Sequence, residues 1–208
     1  MTTADFFSHY LVGLTTLLSL IVAIGAQNAY VLKQGILGKF IVPIIIFCTL
    51  SDMLLISLGI FGFGFILQSA PWLLEVLRWG GGLFLLWYGF SAARRSLHPG
   101  SLKVDASTEG PQTLGKAIAI AAAMTYLNPH TYIDTVVLLG SLANQHGEEG
   151  RWAYYAGAIT GSFLWFTGLG LGARFLRPLF ASEKSWRILD GVIALIMFYL
   201  AFKIMFGM

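Results

Sequence analysis

Residues 124–135 read MTYLNPHTYIDT and stand between two apolar runs, KAIAIAAA (116–123) and VVLLGSLA (136–143). The flanks are apolar around a whole helix rather than along one stripe, which fits a segment surrounded by lipid or protein. Asn128, Pro129, His130 and Asp134 interrupt it. Pro129 removes a backbone N–H and clashes with the preceding turn, freeing the carbonyls near residues 125 and 126. Broken backbone at membrane depth is tolerated only where it lines protein or a watery cavity. The stretch therefore predicts a membrane helix broken over a polar site.

The rest of the chain agrees. It has 208 residues, is 57% hydrophobic and only 11% charged, against about 25% charge in soluble domains. Residues 10–32 carry no Asp, Glu, Lys or Arg, residues 40–74 only Asp52, residues 117–147 only Asp134, and residues 152–173 none. A membrane helix needs ~20 apolar residues, and continuous rather than alternating runs indicate helices, not a barrel. AIGA at 23–26 resembles a cleavage site, but no Lys or Arg precedes Tyr10, so the first span is read as retained. The single Cys48 excludes an internal disulfide or a CxxC pair. The net charge of +3 is assigned to basic loops, with no nucleic-acid partner.

Spans are predicted at about 10–32, 41–67, 72–93, 117–142, 152–174 and 186–206. Thr49, Ser51 and Gly59 meet Thr160, Ser162 and Gly170 at an offset of 111, and Arg78, Gly82, Ala92 and Arg94 meet Arg187, Gly191, Ala201 and Lys203 at 109. Asn28 matches Asn128 at 100, and Tyr30 matches Tyr132 at 102. Three spans is an odd number, so the second copy enters from the other side. The expected fold is an all-α membrane protein: six transmembrane helices as two inverted three-helix repeats, with broken first and fourth helices. Residues 1–95 form the first repeat, 96–115 a cytoplasmic linker loop and 116–208 the second repeat, together one integral membrane domain. The loops after spans one, three and five hold ten of the Lys and Arg residues, and the other side only Arg78, Arg151 and Lys203. Both termini are therefore expected outside.

A charge inside a span costs about 2.5–3.5 kcal/mol on insertion scales, so Asp52 and Asp134 are functional candidates by default. IGAQNAY (24–30) matches the Pro129 break in the first half, with Gly25 and Ala26 loosening the helix beside Gln27 and Asn28. Broken helices at matching places in two repeats point to a transport site. Gln27, Asn28 and Asn128 are expected to hold the carboxylate and α-amino group of a zwitterion. Asp134 is expected to neutralise a side-chain cation. Asp52, matched by Phe163 and so breaking the repeat, is the expected proton carrier. Pro129, His130 and Tyr132 complete the substrate-binding set, although a lone His beside Pro is more often structural. No metal site and no cofactor is expected, since more carboxylate, thiolate or imidazole partners would be needed. Glu75/Arg78 and Arg187/Asp190 read as i, i+3 ion pairs at span ends. Trp87, Tyr88 and Trp165 read as packing, and Gly59, Gly62, Gly64, Gly168, Gly170 and Gly172 as points of close helix contact. GGG at 80–82 lies inside a span and is no phosphate loop.

GAQNAYVLKQG (25–35), SD at 51–52 followed by LLISLGIFG, RWGGGLFLLWYG (78–89), TYLNPHTYIDTVVLLGS (125–141) and SFLWF (162–166) closely resemble the LysE/ArgO-type exporters of basic amino acids. The match is collinear over nearly the whole chain. The resemblance implies a bacterial inner-membrane protein, not an enzyme. It would export L-arginine, L-lysine and toxic analogues such as canavanine, driven by protons or membrane potential. One departure stands out: Ala26 occupies the place of an expected proline in the first-span motif. The alternative reading is an exporter of divalent metal or another small cation. A membrane enzyme or receptor would want a larger extramembrane part than one loop of about 20 residues. Homo-oligomerisation and the choice between lysine and arginine stay open.

Overall fold

A computed structural model describes residues 2–23, 25–62, 71–97, 113–180 and 182–207, and every regular element among them is helical. α1 (Thr3–Ile21) begins ahead of the expected Tyr10 because Thr2 and Asp5 form a capping box: Thr2 Oγ1 accepts from the Asp5 N–H at 3.2 Å, and the Thr2 N–H donates to the Asp5 carboxylate at 3.0 Å. α2 (Ala26–Leu37) is closed by Gly38 at φ 71, where an L side chain is strained and a Cβ would meet the Arg177 guanidinium. α3 (Ile41–Ile60) carries Pro43 harmlessly in its first turn. α4 (Pro71–Leu97) follows, its first residue being the proline of the QSAP breaker at 68–71; residues 68–70 lie outside the described residues, as do 98–112 of the linker loop.

α5 (Leu114–Tyr126) starts on Thr113, whose Oγ1 accepts from the Lys116 N–H at 3.2 Å. α6 (Pro129–Thr131) runs on into a π-helical stretch (Tyr132–Leu139) and α7 (Gly140–Gln145). α8 (Gly147–Gly172), a 3-10 segment (Ala173–Phe180) and α9 (Glu183–Phe206) complete the chain. Among the described residues, four stretches are long and apolar enough to cross a bilayer: Thr3–Ile21, Ile41–Ile60, Gly147–Phe180 and Lys184–Phe206. Leu114–Tyr126 is a shorter apolar helix. α4 has the length, with 27 residues, but its glycines, tryptophans and arginines dilute the apolar character. Ile46, Leu50 and Leu54 on α3, Leu83, Trp87 and Phe90 on α4, and Leu195, Tyr199 and Phe202 on α9 are all exposed. So much outward apolar surface suits a lipid solvent, not water.

Small residues set the helix contacts. α1 runs along α8 in the same direction, from His9 beside Gly150 to Leu17 beside Gly161, and so closely that a Cβ on Gly13 would lie 1.9 Å from the Tyr154 carbonyl oxygen. α3 runs along the π-helical stretch and α7, with Gly59 against Val136 and Gly140. α4 and α9 are antiparallel, Arg78 meeting Met205 and Ser96 meeting Arg187. Of the glycines expected at close contacts, Gly59 and Gly170 are there, whereas Gly62, Gly168 and Gly172 face open space; Gly64 lies outside the described residues.

These pairings define two ends. One, here the terminal end, holds His9, His146 and Met205; the opposite end holds Gly38, Leu97 and Arg187. The largest core cluster, including Tyr30, Ile44, Cys48, Tyr88, Met124, Phe166 and Met197, fills the bundle between the helix breaks and the opposite end. There Asp190 turns inward instead of pairing with Arg187. Its carboxylate takes Lys33 Nζ at 2.5 Å and the Arg95 guanidinium at 3.1 Å, with the Lys33 and Asp190 side chains 4% and 3% exposed. Arg187 donates to the Ser96 carbonyl at 3.0 Å, so the expected i, i+3 pair gives way to a buried network. Glu75 and Arg78 do pair, at 3.1 Å.

Candidate functional site

The first break separates α1 from α2 after Ile21. Its loose carbonyls are taken by a side chain from the next helix: Asn28 Nδ2 donates to the Ile21 carbonyl at 2.6 Å and the Ala23 carbonyl at 2.8 Å. Trp165 Nε1 donates to Asn28 Oδ1 at 3.2 Å, so the Asn28 amide is engaged on both sides. The N-terminus of α2 has no side-chain cap, which leaves the amides of its first turn at the positive end of the helix. The second break repeats the device. α5 stops at Tyr126, and Tyr132 donates its hydroxyl to the Tyr126 carbonyl at 2.9 Å. Asn128 caps the restarted helix through Oδ1, accepting from the His130 N–H at 3.2 Å, and Pro129 takes the first helical position. Asp134 lies in the first turn of the π-helical stretch, where the hydrogen bonds reach one residue further than in an α-helix.

Both breaks open on one cavity of about 230 Å³ in the half of the bundle nearer the terminal end. Gln27, Asn28, Asp52, Asn128, His130 and Asp134 line it. Six of the eight expected site residues thus come together. Pro129 instead faces an adjoining cavity of about 270 Å³, whose wall also includes Glu75, Arg78, His130 and Lys203. Tyr132 serves the broken end of α5.

The two carboxylates differ. Asp52 is buried and accepts the Ser162 hydroxyl at 2.6 Å. Asp134 is half-buried and, among the described residues, accepts no hydrogen bond and forms no ion pair. Gln27 Nε2 is buried beside the Cys48 thiol and, among the described residues, has no oxygen or nitrogen acceptor. The site offers two carboxylates, free amide groups and an uncapped helix N-terminus, a set that suits a zwitterion carrying an extra positive charge. Among the described residues no three His, Cys, Asp or Glu side chains gather as metal ligands would.

Three residues of the site escaped the sequence reading. Lys203 lines both cavities, yet it read only as a repeat match to Arg94 and as one of three basic residues on the outer side. Trp165 read as packing but holds Asn28. Ser162 read only as a repeat match but binds Asp52; its offset of 111 from Ser51 was the available signal.

A family model described as LysE type translocator matches residues 18–207 of the chain. The chain is similar to the protein named "Arginine exporter protein ArgO" of Enterobacter sp. (strain 638), at 41% identity over 197 residues, or 95% of this chain and 93% of that protein. The protein of the same name from Klebsiella pneumoniae (strain 342) is 40% identical over 198 residues, covering 95% and 93% of the two chains. That from Escherichia coli O157:H7 is likewise 40% identical over 198 residues, with the same coverage. No solved structure matches the chain.

Proposed function

The chain belongs to the LysE type translocator family, a family of transporters and not of enzymes, and on that premise we propose that it exports cationic amino acids, L-arginine foremost, across the bacterial inner membrane. The observation that carries this reading is the cavity itself. Two broken helices and two carboxylates meet in it, one carboxylate having no fixed partner among the described residues. Relatives named as arginine exporters cover almost the whole chain.

In this reading the substrate carboxylate meets the α2 N-terminus and Gln27, as anions do at uncapped helix ends. Asn128 takes the α-amino end, and Asn28 positions the break. Asp134 receives the guanidinium of arginine, the ammonium of lysine or the cation of a toxic analogue such as canavanine. Six spans in two inverted repeats, 1–95 and 116–208, are supported by the pairing pattern. The first span packs with the fifth, the second with the fourth and the third with the sixth, which is invariant when the repeats are exchanged. The count of basic residues favours termini outside, and the cavity then faces outward. Moving a cation out against an inside-negative potential costs about 2.3 kcal/mol per 100 mV. A proton carried inward on Asp52 cancels that charge, so the transport cycle is antiport.

Liposomes containing the purified protein and radiolabelled arginine test the proposal. Acidifying the outside should accelerate arginine efflux, and lysine should compete. Agmatine and cadaverine, which lack the carboxylate, should compete poorly. Efflux of leucine or of manganese in place of arginine would overturn the substrate assignment, and indifference to the pH gradient would overturn antiport.

A further inference from the structure

Lys203 is the one lysine or arginine on the wall of the substrate cavity among the described residues. It stands in the last turn of α9, where its carbonyl accepts from the Gly207 N–H at 3.1 Å, so its backbone is held while its side chain is exposed. The same side chain borders the adjoining cavity with Glu75 and Arg78. Glu75 is already engaged there: Arg78 donates to one carboxylate oxygen at 3.1 Å and Trp79 Nε1 to the other at 2.9 Å. Of the two carboxylates in the substrate cavity, Asp52 holds Ser162 deep in the bundle, whereas Asp134 holds nothing among the described residues. A carboxylate unpaired among the described residues and a tethered ammonium thus line one cavity and carry opposite charge. A cationic substrate docked on Asp134 pushes Lys203 towards the adjoining cavity by like-charge repulsion. When that substrate leaves, Asp134 is a half-buried carboxylate without its counter-charge, and a neighbouring cation supplies one.

We propose that Lys203 is a resident cation that competes with the substrate for Asp134 and thereby drives release of the cationic amino acid at the terminal end of the cavity. The proposal rests on the reading of the cavity as the basic amino-acid site. It assigns the two cavities successive roles: the first holds the substrate, and the second holds the displaced lysine while the first is occupied.

The test compares the native protein with Lys203→Gln and Lys203→Arg, each alone and with Asp134→Asn, in binding of radiolabelled arginine and in liposomes. Lys203→Gln should bind arginine about tenfold more tightly, a coupling of ordinary size between charged groups. Its net efflux should fall relative to arginine–arginine exchange, because release and not binding has been slowed. Lys203→Arg should stay close to native in both measurements, and Lys203→Gln should add nothing once Asp134 is Asn. Unchanged or weaker arginine binding by Lys203→Gln, or an equal effect in the Asp134→Asn background, overturns the inference. Failure of the native protein to bind or move arginine is distinguishable from both, and sinks the functional reading on which the inference stands.

Discussion

Asp52 and Asp134 share a cavity and differ in every other respect. Asp52 is buried with a hydrogen-bond donor of its own, and Asp134 is half-buried and without a hydrogen-bond or ion-pair partner among the described residues. A carboxylate already bonded to a serine hydroxyl suits a small mobile cation such as a proton, and an open one suits a bulky cation that must come and go. The two neutral variants should therefore fail differently. Asp134→Asn keeps the shape and deletes the counter-charge, a loss of about 2–5 kcal/mol for a desolvated charge pair, so arginine efflux should fall by at least about thirtyfold at normal expression. Asp52→Asn should keep arginine–arginine exchange and lose acceleration by an inward proton gradient. Efflux assays under the two regimes separate the roles, and matching defects in both variants would merge them into one site. The two acids were legible in the sequence because a charge in a long apolar run needs a reason. The unlike partners were not, since Ser162 lies 110 residues from Asp52.

At the level of elements, the breaks were readable because proline and glycine carry their backbone consequences with them. What closes each break was not. Asn28 and Tyr132 each reach back from the restarted helix to carbonyls of the one before it, and nothing local to Asn28 distinguishes such a cap from a substrate ligand. The π-helical stretch is a shift of hydrogen-bond register after Pro129, with no residue signature of its own. The start of α1 depended on a short polar capping box that an apolar-run reading passes over. α1 is also fastened at its other partner: His9 and His146 bring their Nδ1 atoms to 2.8 Å, joining α1 to the turn between α7 and α8, and the His146 ring stacks on Tyr154. One nitrogen must donate and the other accept, so the contact requires one ring with a neutral Nδ1. Burial, and then the neighbouring His9, hold His146 below its ordinary value of 6.5. The unfolded chain therefore binds the proton more readily. Stability from this contact is fully present above pH 6.5 and declines as pH falls from there through the depressed folded value. Melting curves in detergent should show the midpoint dropping between neutral and mildly acid pH, and His146→Gln should flatten that slope. A slope left intact by the substitution would remove the pair from the account.

The whole molecule is asymmetric along its axis. Its cavity occupies the half nearer the terminal end, while the main core cluster and the Lys33–Asp190–Arg95 network close the other half. The network joins α2, α4 and α9, elements from both halves of the chain, and its formation went unread because Arg187 stood one turn from Asp190 and offered a nearer partner. Only the tertiary approach of Lys33 and Arg95 shows that Asp190 points inward. A carrier that alternates is expected to open this end by parting these three charges. Removing one partner of a buried ion pair costs about 3–5 kcal/mol, since the other charge is left without compensation. Asp190→Asn should therefore weaken the closed half first. The consequence is visible at Thr131, which lines the cavity. In a Cys48→Ala background, Thr131→Cys should react with a membrane-impermeant maleimide added outside intact cells and resist it in inverted vesicles. Adding Asp190→Asn should raise the reaction in inverted vesicles several-fold and lower it in cells, as the population shifts towards the inward-open form. Reaction from the inside without Asp190→Asn would show that the termini lie in the cytoplasm and the cavity faces inward. Labelling from outside alone, unmoved by Asp190→Asn, would leave the network a structural tie with no part in opening.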